Sequence, residues 1–248
     1  MTDIRYLERD GKRLAYRHRS AAAQTGKPTI VFLPGYMSDM DGGKASALDD
    51  WAASTGTAML RLDYSGCGAS DGAFADGTLD SWRDDVLHLI EERIEGPVLL
   101  VGSSMGGWLM VLVAMAIPAR VAGMVGIAAA PDFTAWGFSD RDRAKLARGE
   151  TLSAPSEYFD EPYITTPGFW LSGEANRVLG GSIGLICPVR LLHGQSDSDV
   201  PWEISVQLAE RLASPDVQVR LVKDGDHRLS RDQDIIMLLT TVAGLIEG

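Results

Sequence analysis

The sequence predicts an α/β fold: a mostly parallel, twisted sheet with helices on both faces and one small insertion. Three observations lead there. Short apolar runs rich in β-branched residues alternate with longer segments of helical spacing, the pattern of crossover units that make strands run parallel. Pro97 to Ile117 joins one such run to one such segment through Gly102-Ser103-Ser104-Met105-Gly106-Gly107, a turn whose glycines remove the Cβ atoms that would collide there. Between Pro131 and Leu185 the alternation lapses, and a structureless stretch of that length is uncommon in a compact domain, so it reads as a lid.

Taken in order, residues 1–20 alternate weakly around Asp10-Gly11, a hairpin signal that predicts an antiparallel edge pair. Thr29 to Leu33 (TIVFL) is a strand suited to burial on both faces and ends in Pro34-Gly35-Tyr36. Lys44 to Ser54 has helical spacing, Ala58 to Leu62 reads as a strand, and Thr78 to Glu95 as an amphipathic helix. After the Pro97 unit come a strand over Val121 to Ala129 and another from Cys187 to Leu192. A helix from Pro201 to Leu212, a strand from Val217 to Val222 and a helix from Asp232 to Ile246 close the chain. Residues 1–130 and 186–248 thus form one core domain, with 131–185 inserted as the lid, in which no strand-type run appears. Seven of the eighteen aromatic residues fall in 136–170: Trp136, Phe138, Tyr158, Phe159, Tyr163, Phe169 and Trp170. That concentration gives the lid apolar surface to bury, part in its own core and part toward a site below.

With 248 residues and 45% hydrophobic content the chain can build a substantial core. No run approaches the eighteen or so apolar residues that cross a bilayer, so no stable membrane association is expected. The N-terminus shows no apolar signal region or Arg-rich presequence, which makes a cytoplasmic location the expectation. Two cysteines, Cys67 and Cys187, are too few for a disulfide framework or a zinc site. A net charge of −11 with no basic stripe argues against nucleic acid. No cofactor or metal is called for, and oligomeric state is not readable.

The chemistry centres on Ser104. Gly102-Ser103-Ser104-Met105-Gly106 matches G-x-S-x-G between a strand and a helix, the setting in which a strained turn lifts a serine hydroxyl above a sheet edge. A serine hydroxyl needs a base to take its proton, and the base needs a carboxylate to orient it. Of four histidines, His18 lies in the edge pair, His88 in mid-helix, and His193 ends a strand as a turn residue. His227 follows a strand in Asp224-Gly225-Asp226-His227 and is the candidate base. Asp197 fits H-G-x-x-D-x-x-V-P and is the candidate acid, while Asp199 could instead cap the following helix. Backbone N–H groups of Met105 and Tyr36 are the candidate oxyanion donors. Trp136, Phe138, Tyr163, Phe169 and Trp170 are candidate substrate-binding residues. Arg141, Arg143, Lys145 and Arg148 could attract an anionic leaving group, or form an ordinary solvated face. The glycine-rich stretch Asp63 to Gly72 misses the dinucleotide fingerprint and reads as a structural rim loop, with Cys67 inert.

With these motifs in order the chain resembles the α/β-hydrolase superfamily. More narrowly it is similar to the group of mammalian mitochondrial palmitoyl-protein thioesterases, also described as mycophenolic acid acyl-glucuronide esterases. The segments that carry the resemblance are Phe32-Leu33-Pro34-Gly35-Tyr36, Asp63-Tyr64-Ser65-Gly66, Gly102 to Met110, Arg190 to Gly194, and Asp226-His227-Arg228. Proline stands at position 34, where many relatives carry histidine. The resemblance implies the α/β-hydrolase fold, a Ser104, Asp197 and His227 triad, and hydrolysis of thioesters or activated esters of acyl groups on small molecules or proteins. The alternatives are a general carboxylesterase or carbon–carbon bond hydrolase, and a non-catalytic ligand-binding protein on the same scaffold.

Overall fold

The computed structural model describes residues 2–22, 26–155 and 162–247. Its main sheet has eight strands in spatial order β1-β2-β4-β3-β5-β6-β9-β10. These are β1 (Arg5–Arg9), β2 (Lys12–Arg19), β3 (Thr29–Leu33), β4 (Met59–Leu62), β5 (Val98–Ser103), β6 (Val121–Ile127), β9 (Val189–Gly194) and β10 (Val217–Val222). The β1–β2 hairpin is the predicted antiparallel pair and β2 meets β4 antiparallel; every other pairing in this sheet is parallel.

The central strands separate two cores because successive side chains point to opposite faces. Ile30, Phe32, Leu99 and Val101 enter one core with α1 (Gly43–Thr55) and α8 (Asp232–Glu247). Val31, Leu33, Val98 and Leu100 enter the other with α2 (Leu79–Arg93), α3 (Met105–Ala116) and α7 (Glu203–Arg211). Trp82 of α2 and Trp108 of α3 are essentially inaccessible there, each contributing roughly 1.5–3 kcal/mol by leaving water. Local signals set the ends: Thr78 and Ser81 form a reciprocal capping box on α2, and α1 stops at Gly56 with φ 68°.

Differences from the sequence reading have local causes. The strand after Val121 ends at Ile127, because Ala128 takes φ 44°, which breaks extension. The helix expected from Pro201 starts at Glu203, with no side-chain cap. The insertion holds α4 (Phe133–Trp136), α5 (Asp140–Ala147), α6 (Pro167–Ala175) and, contrary to expectation, two strands, β7 (Leu152–Ala154) and β8 (Tyr163–Thr165), paired antiparallel. Three residues each are too few to display a period. Tyr158 and Phe159 lie outside the described residues. The end of the insertion joins the core: Ile183 bridges Leu212, and Val178, Leu179 and Leu185 are buried in the same core as α2, α3 and α7.

Candidate active site

Ser104 sits between β5 and α3 with φ 54° and ψ −120°, a conformation that L-residues occupy only under constraint. The constraint is visible. Ser104 N–H donates to Ile127 O at 2.9 Å, and its carbonyl accepts from Gly107 and Ala130 N–H at 2.9 and 3.1 Å. A Cβ on Gly106 would lie 2.1 Å from Leu33 O, and one on Gly102 would lie 2.3 Å from Gly106 O. Strand and helix can approach this closely only with glycine at both positions.

Parallel β5, β9 and β10 deliver their C-terminal ends to one edge, and three loops meet there. His227 Nε2 lies 3.1 Å from Ser104 Oγ, and His227 Nδ1 lies 2.8 Å from Asp197 Oδ2. The two loops that carry Asp197 and His227 are stitched together by Gln195 N–H to Val222 O and Ser196 N–H to Gly225 O, at 2.8 and 2.9 Å. A Cβ on Gly194 would sit 2.2 Å from Gly225 O, which explains the glycine after His193.

Asp197 is inaccessible and fully bonded. Oδ1 accepts from the N–H groups of Asp199 and Val200, both at 2.9 Å; Oδ2 accepts from His227 and from His193 Nε2 at 3.1 Å. Burial on its own raises this carboxyl, but the hydrogen bonds from His193 and His227, the charge of His227 and the Val200 N–H outweigh it and hold it well below the usual carboxylate range. Asp199 does not cap α7 but stands exposed at the rim. Asp197, Asp199 and His227 each bring one possible metal-ligating atom within 4.8 Å of the others, although two of the three are already hydrogen-bonded to each other.

A cavity of about 810 Å³ opens over Ser104. Tyr36 and Met105 both line it, and among the described residues neither N–H has a backbone acceptor. The turn that carries Tyr36 presses on the nucleophile: a Cβ on Gly35 would be 3.4 Å from Ser104 Cβ. Its lining includes the neighbouring rings of Tyr36, Phe133, Phe138 and Tyr163, with Trp136, and the polar groups of Ser38, Asp39, Lys44, Asp142, Lys145, Glu150, Asp199, Arg228 and Ser230. Lys44 Nζ donates to Arg228 O at 2.5 Å. Burial and the neighbouring Arg228 charge pull the Lys44 ammonium down to about 8, against the opposing carboxylates of Asp226 and Asp234.

The structure thus brings Ser104, His227, Asp197, Tyr36, Met105, Trp136, Phe138 and Tyr163 together. It does not bring Phe169 or Trp170 to the cavity. Phe169, on α6, is buried against the main core, 4.8 Å from the Tyr36 ring centre and 5.6 Å from that of Trp82. Trp170 faces α4, its Nε1 donating to Thr134 O. Burying large rings is favourable, and Phe169 thereby ties the insertion to the main core while Trp170 ties α6 to α4. Of the cations on and after α5, Lys145 lines the cavity, paired with Asp142 at 3.5 Å, while Arg143 and Arg148 pair with Asp140 and Glu150. Two parts of the lining are not legible in the sequence: Phe133, which precedes the aromatic-rich stretch 136–170, and the Lys44–Arg228 pair, whose members are distant along the chain. His193 is not a turn residue but a buried strand residue. His18 and His88 lie elsewhere, in β2 and α2. The Asp63 to Gly72 loop is structural as expected: Asp63 accepts from Met40 and Ala69 N–H, and burial pushes the Cys67 thiol up to about 12.

Residues 30–235 match the alpha/beta hydrolase family. The mitochondrial palmitoyl-protein thioesterase ABHD10 of mouse is 44% identical over 226 residues, 89% of this chain and 75% of the relative. Its human counterpart is 40% identical over 251 residues, covering 99% and 81%. Among solved structures, a putative hydrolase from Agrobacterium vitis superposes with a TM-score of 0.92 at 42% identity, covering 99% of this chain and 98% of the other. The mouse alpha/beta hydrolase domain-containing protein 10 superposes at 0.90 and 39%, covering 99% of each.

Proposed function

The chain belongs to the alpha/beta hydrolase family and is a hydrolase; from that premise we propose that it cleaves acyl thioesters and activated oxygen esters through a Ser104 acyl-enzyme. The observation that carries this reading is the continuous hydrogen-bonded path from Ser104 Oγ through His227 to Asp197. Ser104 Oγ attacks the acyl carbonyl while His227 Nε2 takes its proton, and Asp197 holds the Nδ1–H and steadies the imidazolium. The carbonyl oxygen becomes an oxyanion between the N–H groups of Tyr36 and Met105, each worth roughly 3 kcal/mol in the transition state. The C–S or C–O bond then breaks and His227 returns the proton to the leaving thiolate or alkoxide. Water, deprotonated by the same histidine, attacks the acyl-enzyme and releases the acid.

The aromatic part of the cavity lining suits the acyl chain. Its apolar lining and volume support an S-acyl substrate of the kind named for the thioesterase relatives. A second reading, hydrolysis of acyl glucuronides, is favoured by the cations Lys44, Lys145 and Arg228 in the lining, of which Arg228 follows His227 in the chain and accepts from Lys44 at its carbonyl. The insertion acts as the lid, and the two unpaired thiols Cys67 and Cys187 support a reducing, cytoplasmic compartment. Cell fractionation tests the latter.

The test is turnover of acyl thioesters, oxygen esters and acyl glucuronides of matched chain length, beside labelling by a serine-directed fluorophosphonate. Thioester turnover with Ser104 as the labelled residue is expected. An unlabelled protein that turns over none of the three is a ligand-binding protein, and preference for oxygen esters makes it a general carboxylesterase.

A further inference from the structure

We infer that His193 is a positioning residue: its Nε2–H clamps the same oxygen of Asp197 that receives His227, and Ser205 of α7 in turn clamps His193. This rests on the proposed triad. The His193 ring is wholly buried in β9, and both its nitrogens are engaged. Nε2 faces two acceptors, Asp197 Oδ2 at 3.1 Å and Val200 O at 3.0 Å, so it must carry a proton. Nδ1 lies 2.7 Å from Ser205 Oγ, itself buried, and in a neutral ring accepts the hydroxyl proton. The hydrogen-bonded path is therefore two links longer than a triad, running Ser104, His227, Asp197, His193, Ser205, and it ends on a helix packed against the sheet.

Two consequences follow for catalysis. The second imidazole fixes where Oδ2 points, and hence the ring plane of His227. It also takes up part of the hydrogen-bonding capacity of Oδ2, the oxygen that receives the His227 Nδ1–H. The groups facing Asp197 from the neighbouring elements are His227 after β10 and the exposed carboxylate of Asp199, within 4.8 Å. Ser205 and the Val200 carbonyl are uncharged, and across the sheet His193 pairs with Leu221 of β10.

The test is the pH–rate profile of His193→Phe and His193→Gln, with thermal melting recorded for each. Phenylalanine fills the space without a donor; kcat is expected to fall about 10- to 100-fold, as for other partners that orient an active group. KM should stay nearly unchanged and the acidic limb should move. Glutamine, which presents an N–H near the Nε2 position, should recover most of the rate and return the limb. Unaltered kcat and limb in the phenylalanine variant, with only a lower melting temperature, would make His193 a space-filling residue and overturn the inference. If that variant does not fold, ring-nitrogen NMR of the wild-type protein decides: a proton on Nε2 supports the clamp, and a bare Nε2 overturns it. Ser104→Ala is measured alongside. Activity surviving there defeats the triad itself, whereas its loss there with an unmoved His193→Phe profile defeats this inference alone.

Discussion

Ser104 holds a positive φ that a β-carbon resists, at a cost of order 1–3 kcal/mol to the fold. The strain aims the hydroxyl at His227. Ser104→Gly should therefore lose turnover by several orders of magnitude yet melt at a higher temperature than Ser104→Ala, which keeps the Cβ and so the strain. Differential scanning calorimetry of the pair checks this, and equal melting temperatures would mean that no strain is stored. Asp197 offers a pH test with a definite sign. Its carboxyl is held below its ordinary value in the folded state, so the stability it contributes is complete above about pH 4 and is lost as pH falls toward the depressed folded value. The urea midpoint of Asp197→Asn should lie well below wild type at pH 7, with a gap that stays level down to about pH 4 and narrows as the pH falls further. A gap that widens with acid would reverse the assigned direction.

At the scale of elements, the site depends on how closely α3 meets β3 and β5. Gly106→Ala would press a methyl group into the carbonyls of Leu33 and Pro34, which are backbone and cannot rotate away. A loss of about 1–3 kcal/mol or more, seen as a fall in melting temperature with little soluble protein, is expected. The insertion meets the core through a different device. Tyr36, whose N–H is the proposed oxyanion donor, sends its phenol to Ile164 O of β8 at 2.5 Å and lies among the rings of Phe74, Phe133, Tyr163 and Phe169. Tyr36→Phe keeps the ring packing and removes one hydrogen bond, worth about 0.5–1.5 kcal/mol. Since β8 carries Tyr163 on the cavity wall, KM should rise up to about tenfold for long acyl chains and less for short ones. A uniform loss of kcat across chain lengths would place the effect at the oxyanion instead. At its other end α6 is held by Ser172 Oγ and Asn176 Nδ2 donating to Asp80 of α2, and Trp108 Nε1 donates to Asn176 O.

At the scale of the whole molecule, opposing charge effects govern acid stability. The net charge of −11 repels itself at pH 7, and acidification toward the isoelectric point near 4.8 relieves that repulsion. Asp71, Asp80, Asp142, Asp197, Asp216 and Asp224 are all held below their ordinary values, chiefly by hydrogen bonds from neighbouring side chains, so their contribution is lost progressively as the pH drops below about 4. Asp63 and Asp132, raised by burial, act in the opposite sense but are fewer. The denaturation midpoint should stay level or rise from pH 7 to 5 and then fall steeply below 4; a steady decline from pH 7 would mean that self-repulsion is negligible.

Chain order was enough to establish the alternating architecture, the glycine-flanked serine, and the loops that supply Asp197 and His227, because period, turn chemistry and spacing are local properties. Tertiary structure alone decided that His193 faces inward onto Asp197, that Phe169 packs on the main core and Trp170 on α4 rather than lining the cavity, and that Lys44 meets Arg228 on its wall. Those outcomes depend on which faces pack against each other across nearly 200 residues of chain, and packing is settled by the fit of buried surfaces rather than by any neighbour along the sequence.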